Sequence, residues 1–134
     1  MSSRPDLPTS ALETMLLASG VVHLVRPQVF EPIVPAPLRE HDRLLVQVSG
    51  VAEIACGAGL LVPATRPLAG WASAALLLAV FPANVQMSID HGRRAQRRGT
   101  GSAWGVFAGT LARLPLQAPL VRVAWRAARQ GRAG

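Results

Sequence analysis

The chain has 134 residues, which bounds it to one domain. Half of those residues are hydrophobic and 16% are charged, against about 25% charged in an average soluble domain, so the composition argues against a soluble globular protein. The net charge of +7 comes from arginine without a single lysine. These arginines stand mostly at the ends of apolar segments, where they set topology and meet lipid headgroups. With three Trp, three Phe and no Tyr there is no aromatic surface for stacking bases, and no nucleic-acid partner is expected.

The distribution of charge is more telling than its amount. No charged residue occurs between Arg66 and Asp90, a gap worth about 34 Å of helix, enough to cross a hydrocarbon core of about 30 Å. Cys56 is the lone cysteine, which excludes an intrachain disulfide and CxxC chemistry; in apolar surroundings it is expected to be an inert packing residue. The N-terminus lacks a basic region followed by an apolar run and a cleavage site, so no removable signal peptide is expected.

In chain order, residues 1–10 are read as a tail. Ser10 and Glu13 fit a capping box, opening a first helix over residues 12–25 that is about 22 Å long and ends at Arg26-Pro27. On this reading Glu13 is a capping residue and not a proton relay. Residues 26–43 carry prolines at 27, 32, 35 and 37, a density that forbids a continuous helix. A second helix is expected over residues 44–62, and a third, the strongest span, from Pro67 or Leu68 to Ile89. Ser49, Ala52, Cys56, Gly57 and Gly59 on one, and Ala75, Ala79 and Ala83 on the other, are small enough to let two helices approach closely. With only a short turn between them, these two helices are expected to pair tightly. Pro82 removes a backbone donor within the third helix and should kink it. Residues 90–101 read as a hydrophilic loop bearing Arg93, Arg94, Arg97 and Arg98, which points to anionic lipid headgroups as partners. A mildly apolar stretch, residues 102–112, precedes a weak last span over residues 113–125, in which Arg122 must reach the headgroups by snorkelling. The fold class expected is all-α, a transmembrane four-helix bundle over residues 11–128 with a basic tail at 129–134. Orientation is nearly balanced: termini outside put seven arginines in the inner loops, and termini inside collect six.

Gly20-Val21-Val22-His23-Leu24, Ile33-Val34-Pro35, Val48-Ser49-Gly50-Val51-Ala52-Glu53, Gly59-Leu60-Leu61-Val62-Pro63, Val80-Phe81-Pro82-Ala83-Asn84 and Arg113-Leu114-Pro115-Leu116-Gln117 follow one another in an order and spacing that resembles the DoxX-like family of small bacterial membrane proteins. The resemblance implies a multi-pass four-helix bundle in the bacterial cytoplasmic membrane. It further implies association with a membrane redox system, as an accessory or subunit of a partner oxidoreductase, with a quinone as the cofactor class. The Arg-rich segment and tail fall outside the resemblance.

Four polar residues in apolar sequence need a reason, because unpaired polar groups are costly there. Ser49 and Glu53 are four apart and share a helix face; His23 lies near the end of the first helix, and Asn84 follows the proline kink. Intramembrane ionisable residues usually face the bundle interior and mark a pathway, so His23, Ser49, Glu53 and Asn84 are candidates for one small polar cavity that binds a headgroup or relays a proton. The competing reading is that they form interhelical hydrogen bonds of about 0.6–2 kcal/mol that fix packing. A non-enzymatic module that binds lipid or scaffolds partners is the matching alternative for function. No catalytic triad, metal cluster or nucleotide loop is present, and His23 has no evident second axial ligand for haem.

Overall fold

The computed structural model describes residues 4–34 and 36–130. The described residues form four α-helices and no strand: α1 (Leu7–Val25), α2 (Asp42–Leu61), α3 (Arg66–Arg98) and α4 (Gly101–Gln130). Of the tails expected at the two ends, residues 1–3 and 131–134 lie outside the described residues, as does Pro35.

α1 starts earlier than the sequence reading has it. Asp6 is its N-cap, accepting from the Thr9 backbone N–H at 3.0 Å, with Pro8 in the first turn. Asp6 wins over Ser10 because Pro8 suits a first turn, which moves the cap upstream. Ser10 and Glu13 therefore sit inside the helix; the Ser10 carbonyl accepts from the Thr14 hydroxyl at 2.9 Å, and Glu13 is buried. The 19 residues of α1 then reach about 28 Å, not 22 Å. The proline-rich connection forms three short 3₁₀ turns, Pro27–Val29, Glu31–Ile33 and Ala36–His41, and Arg43 donates to Glu31 at 2.8 Å to tie it to the start of α2.

The turn between α2 and α3 is closed by side chains. Thr65 Oγ1 donates to the Gly59 carbonyl at 2.8 Å, and buried Arg66 donates from Nε to the Leu60 carbonyl at 2.8 Å and from Nη2 to Leu61 at 3.3 Å. These carbonyls have no partner within their own helix.

The largest departures from the sequence reading are at α3 and α4. The stretch with Arg93, Arg94, Arg97 and Arg98 is helical, because nothing after Ile89 breaks α3 until Gly99, whose φ of 64° and N–H to the Ala95 carbonyl make the stop. His91 accordingly lies on α3 as well. α4 runs unbroken through Pro115 and Pro119, which its packing on α3 outweighs. α3 has 33 residues against 20 in α2, so the α3–α4 hairpin projects roughly 20 Å past the α1–α2 pair. Gly92 packs on the Phe107 ring within that projection.

Pairing also differs from the expectation. α1 packs chiefly on α2 and α3 chiefly on α4, while α2 and α3 share a smaller contact. Glycines decide this. A Cβ on Gly20 would stand 2.7 Å from the Gly50 carbonyl, and one on Gly70 would stand 2.4 Å from the Ala128 nitrogen and 2.7 Å from the Ala124 carbonyl. Gly59 against Ala69 is the one such approach between α2 and α3 among these glycines. Of the Ala75, Ala79 and Ala83 stripe, Ala75 is exposed, and Ala79 and Ala83 line a cavity to which α2 also contributes. The core of Leu12, Leu16, Leu60, Leu77, Ala124 and their neighbours fills the half of the bundle near the α2–α3 turn. α1, α2 and α3 are each long and apolar enough to cross a membrane.

Candidate functional site

The other half of the bundle holds a cavity of about 560 Å³ to which all four helices contribute, roofed by Phe30, Val34 and Leu38 from the proline-rich connection. His23, Ser49, Glu53 and Asn84 all line it. They fall into two groups on opposite pairs of helices.

On the α1–α2 side, His23 Nδ1 lies 2.6 Å from the Ser19 carbonyl and 3.1 Å from Glu53 Oε2. A carbonyl only accepts, so the proton on Nδ1 points at Ser19. The approach to Glu53 is then a close contact without an aligned hydrogen bond, and Oε2 is left with no hydrogen-bond donor of its own. The imidazole stacks on Phe30, with centroids 3.7 Å apart and planes 8° from parallel. The glycine contact between α1 and α2 is what makes this pair possible. A Cβ at Gly50 would sit 2.8 Å from His23 Cβ and 2.9 Å from the Gly20 carbonyl, so any larger residue would push His23 away from the helix that carries Glu53. Ser49 stands one turn from Glu53 on the same wall.

On the α3–α4 side, Asn84 Nδ2 donates to Gln117 Oε1 at 3.2 Å, and Gln117 Nε2 donates to the Leu77 carbonyl. Pro82 has no N–H for the carbonyl one turn before it, at Leu78, and it is Gln117, not Asn84, that reaches into this weakened stretch of α3. Gln117 itself sits between Pro115 and Pro119. No hydrogen bond links this pair to His23 or Glu53 among the described residues. The sequence reading treats Ser19, Gln117 and Arg113 as members of helices or motifs and not as site residues, yet each lines the cavity. The rule that singles out Asn84, an amide in an apolar run, applies equally to Gln117.

Chemically the cavity offers mostly apolar walls, Leu and Val foremost, a carboxyl–imidazole pair able to hold or pass a proton, and an amide pair able to orient a ligand. Among the described residues no group of three or more His, Cys, Asp or Glu is arranged to hold a metal ion.

A family model described as a domain of unknown function, DUF8561, matches residues 12–128. Neither a curated protein nor a solved structure matches the chain. The match overturns the resemblance to the DoxX-like family. The motifs behind that resemblance are small-residue stripes, interior prolines and boundary arginines, which helix bundles in lipid need whatever their descent, so they do not separate one family from another. Over most of its length the chain belongs to the DUF8561 family.

Proposed function

We propose that the chain is a multi-pass membrane protein and a non-enzymatic binding module whose cavity receives a lipophilic ligand. The cavity built by all four helices is the observation that carries this reading. Its volume lies within the roughly 300–1,000 Å³ of small-molecule sites, and it shares their pattern of apolar walls with a few convergent polar groups. The proposed location is the cytoplasmic (inner) membrane of a bacterium. Support comes from three helices of sufficient length and apolarity, and from large apolar side chains facing outward, among them Leu44, Val48, Leu68, Trp71 and Leu78. α4 packs along α3 and is placed beside it in the membrane, with exposed Arg122 reaching the headgroups by snorkelling. Arg93, Arg94, Arg97 and Arg98, on the part of α3 that projects past α2, meet anionic headgroups; exchanging all four for glutamine should lower the anionic lipid retained on purification.

Purification in a mild neutral detergent followed by mass spectrometry of the extracted lipophiles tests the reading. About one lipophile per chain is expected, and Ala83→Phe, which fills the cavity from α3, should displace it while leaving the helices folded. An empty protein, or equal retention by the variant, would count against the reading.

A redox accessory is the second reading. It rested first on the overturned resemblance. What favours it now is that a quinone is one lipophile whose carbonyls suit an amide pair and whose reduced form suits a carboxyl–imidazole pair. A quinone and an oxidoreductase that co-purify would support it; lipid alone would support the non-enzymatic module.

A further inference from the structure

Resting on the reading of the cavity as a lipophile site, we infer that its ligand carries an acid group, carboxylate or phosphate, which the Arg113 guanidinium recognises at the cavity rim. Two observations carry this. First, Arg113 lines the cavity and is exposed there, and it makes no ion pair or hydrogen bond among the described residues. Of the other polar groups, Gln117 holds Asn84 and the Leu77 carbonyl, and His23 lies against Ser19 and Glu53; none of them brings a guanidinium to the cavity. Arg113 is therefore the unspent cation of the site.

Second, its height in the bundle is that of a headgroup. Gln117 is level with Asn84, to which it is bonded. Arg113 lies one turn further toward the α3–α4 turn, about 6 Å along the axis, on the side where the proline-rich connection roofs the cavity. The opposite end is walled by Met15, Leu16, Leu76 and Leu120. A chain or ring buried among these leaves its head at Arg113, where a planar fork of donors matches a carboxylate or phosphate. Glu53 lines the same cavity from α2, 3.1 Å from His23 and not in an ion pair with Arg113.

The test uses the full chain in dodecyl maltoside with three probes of equal chain length: palmitate, 1-palmitoyl lysophosphatidate and the neutral alcohol hexadecanol. Equilibrium binding to wild type comes first, because it needs no variant to fold. At least one acid probe should bind about tenfold or more tightly than the alcohol, the scale of a charge-assisted hydrogen bond. Which acid binds identifies the source, fatty acid or phosphate-bearing lipid. Arg113→Gln should lower acid binding by about tenfold or more without changing that of hexadecanol, and Arg113→Lys should keep part of the preference. Equal binding of acid and alcohol by wild type, or undiminished acid binding by a folded Arg113→Gln, overturns the inference and leaves the lipophile reading standing. Failure of all three probes overturns the inference, and the lipophile reading then stands or falls on the lipophile extracted from the purified protein.

Discussion

Gly70→Ala asks whether the α3–α4 contact is as close as the structure has it. The added Cβ would lie 2.4 Å from the Ala128 nitrogen, 2.7 Å from the Ala124 carbonyl and 2.8 Å from Ala128 Cα. All three are backbone atoms of a helix, so relief requires the two helices to separate and not a side chain to turn. Overpacking of this kind costs about 1–3 kcal/mol. Alanine also improves helix propensity by about 0.5–1 kcal/mol over glycine, which partly masks the clash. Gly105→Ala measures that offset, since a Cβ at Gly105 meets nothing within 4 Å. Thermal unfolding in detergent should therefore show Gly70→Ala destabilised relative to Gly105→Ala, with the shared propensity gain cancelling and roughly 1–3 kcal/mol between the two variants. If the two unfold at the same temperature, the close packing of α3 on α4 is wrong, and with it the wall that carries Asn84 and Gln117.

Three further outcomes follow from particular contacts. Arg66→Leu removes donors from the Leu60 and Leu61 carbonyls and should cost about 1.5–3 kcal/mol, the range for hydrogen bonds to a charged group; Thr65→Val, which touches the more exposed Gly59 carbonyl, should cost less in the same unfolding assay. A double-mutant cycle of Asn84→Leu and Gln117→Leu should give a coupling of about 0.6–1.7 kcal/mol, as interhelical hydrogen bonds in membranes do, and zero coupling would remove that pair from the site. The hydrogen bond from the Thr9 side chain holds the Asp6 carboxyl below its usual range. A depressed native value means that its stabilisation is present above about pH 4 and is lost as the pH falls through the lowered value. Asp6→Asn keeps a capping side chain but cannot titrate, so acid unfolding below pH 4 should be less steep in this variant than in wild type.

How far the sequence reading reached depends on whether the deciding interaction is local. Proline spacing correctly denied a continuous helix to the segment after α1, which breaks into three 3₁₀ turns, and the uncharged stretch before Asp90 marked α3. Helix ends were misread where a cap or a stop competes with composition: Asp6 displaced Ser10, and four arginines looked like a loop until Gly99 was seen to be the first residue that ends α3. The site was half legible. Single polar residues in apolar runs announce themselves, which is why His23, Ser49, Glu53 and Asn84 stood out. Ser19, Arg113 and Gln117 did not, because a serine one turn from a histidine, or an arginine near a proline, has meaning only when its neighbours from other helices are known.

The sequence by itself determined that this is a helical chain, where its apolar segments lie and which polar residues must find partners, because each of these follows from the free energy of a residue in its own stretch of chain. Only the tertiary structure decided which helices pair and what they enclose. In the membrane proposed for this chain an apolar side chain is as well accommodated by lipid as by another helix, so hydrophobicity does not say which face is covered. What says so is shape: Gly20 against Gly50, and Gly70 against Ala124 and Ala128. Each is a fit between two surfaces far apart in the chain, and the cavity with its two polar pairs is the space those fits leave open.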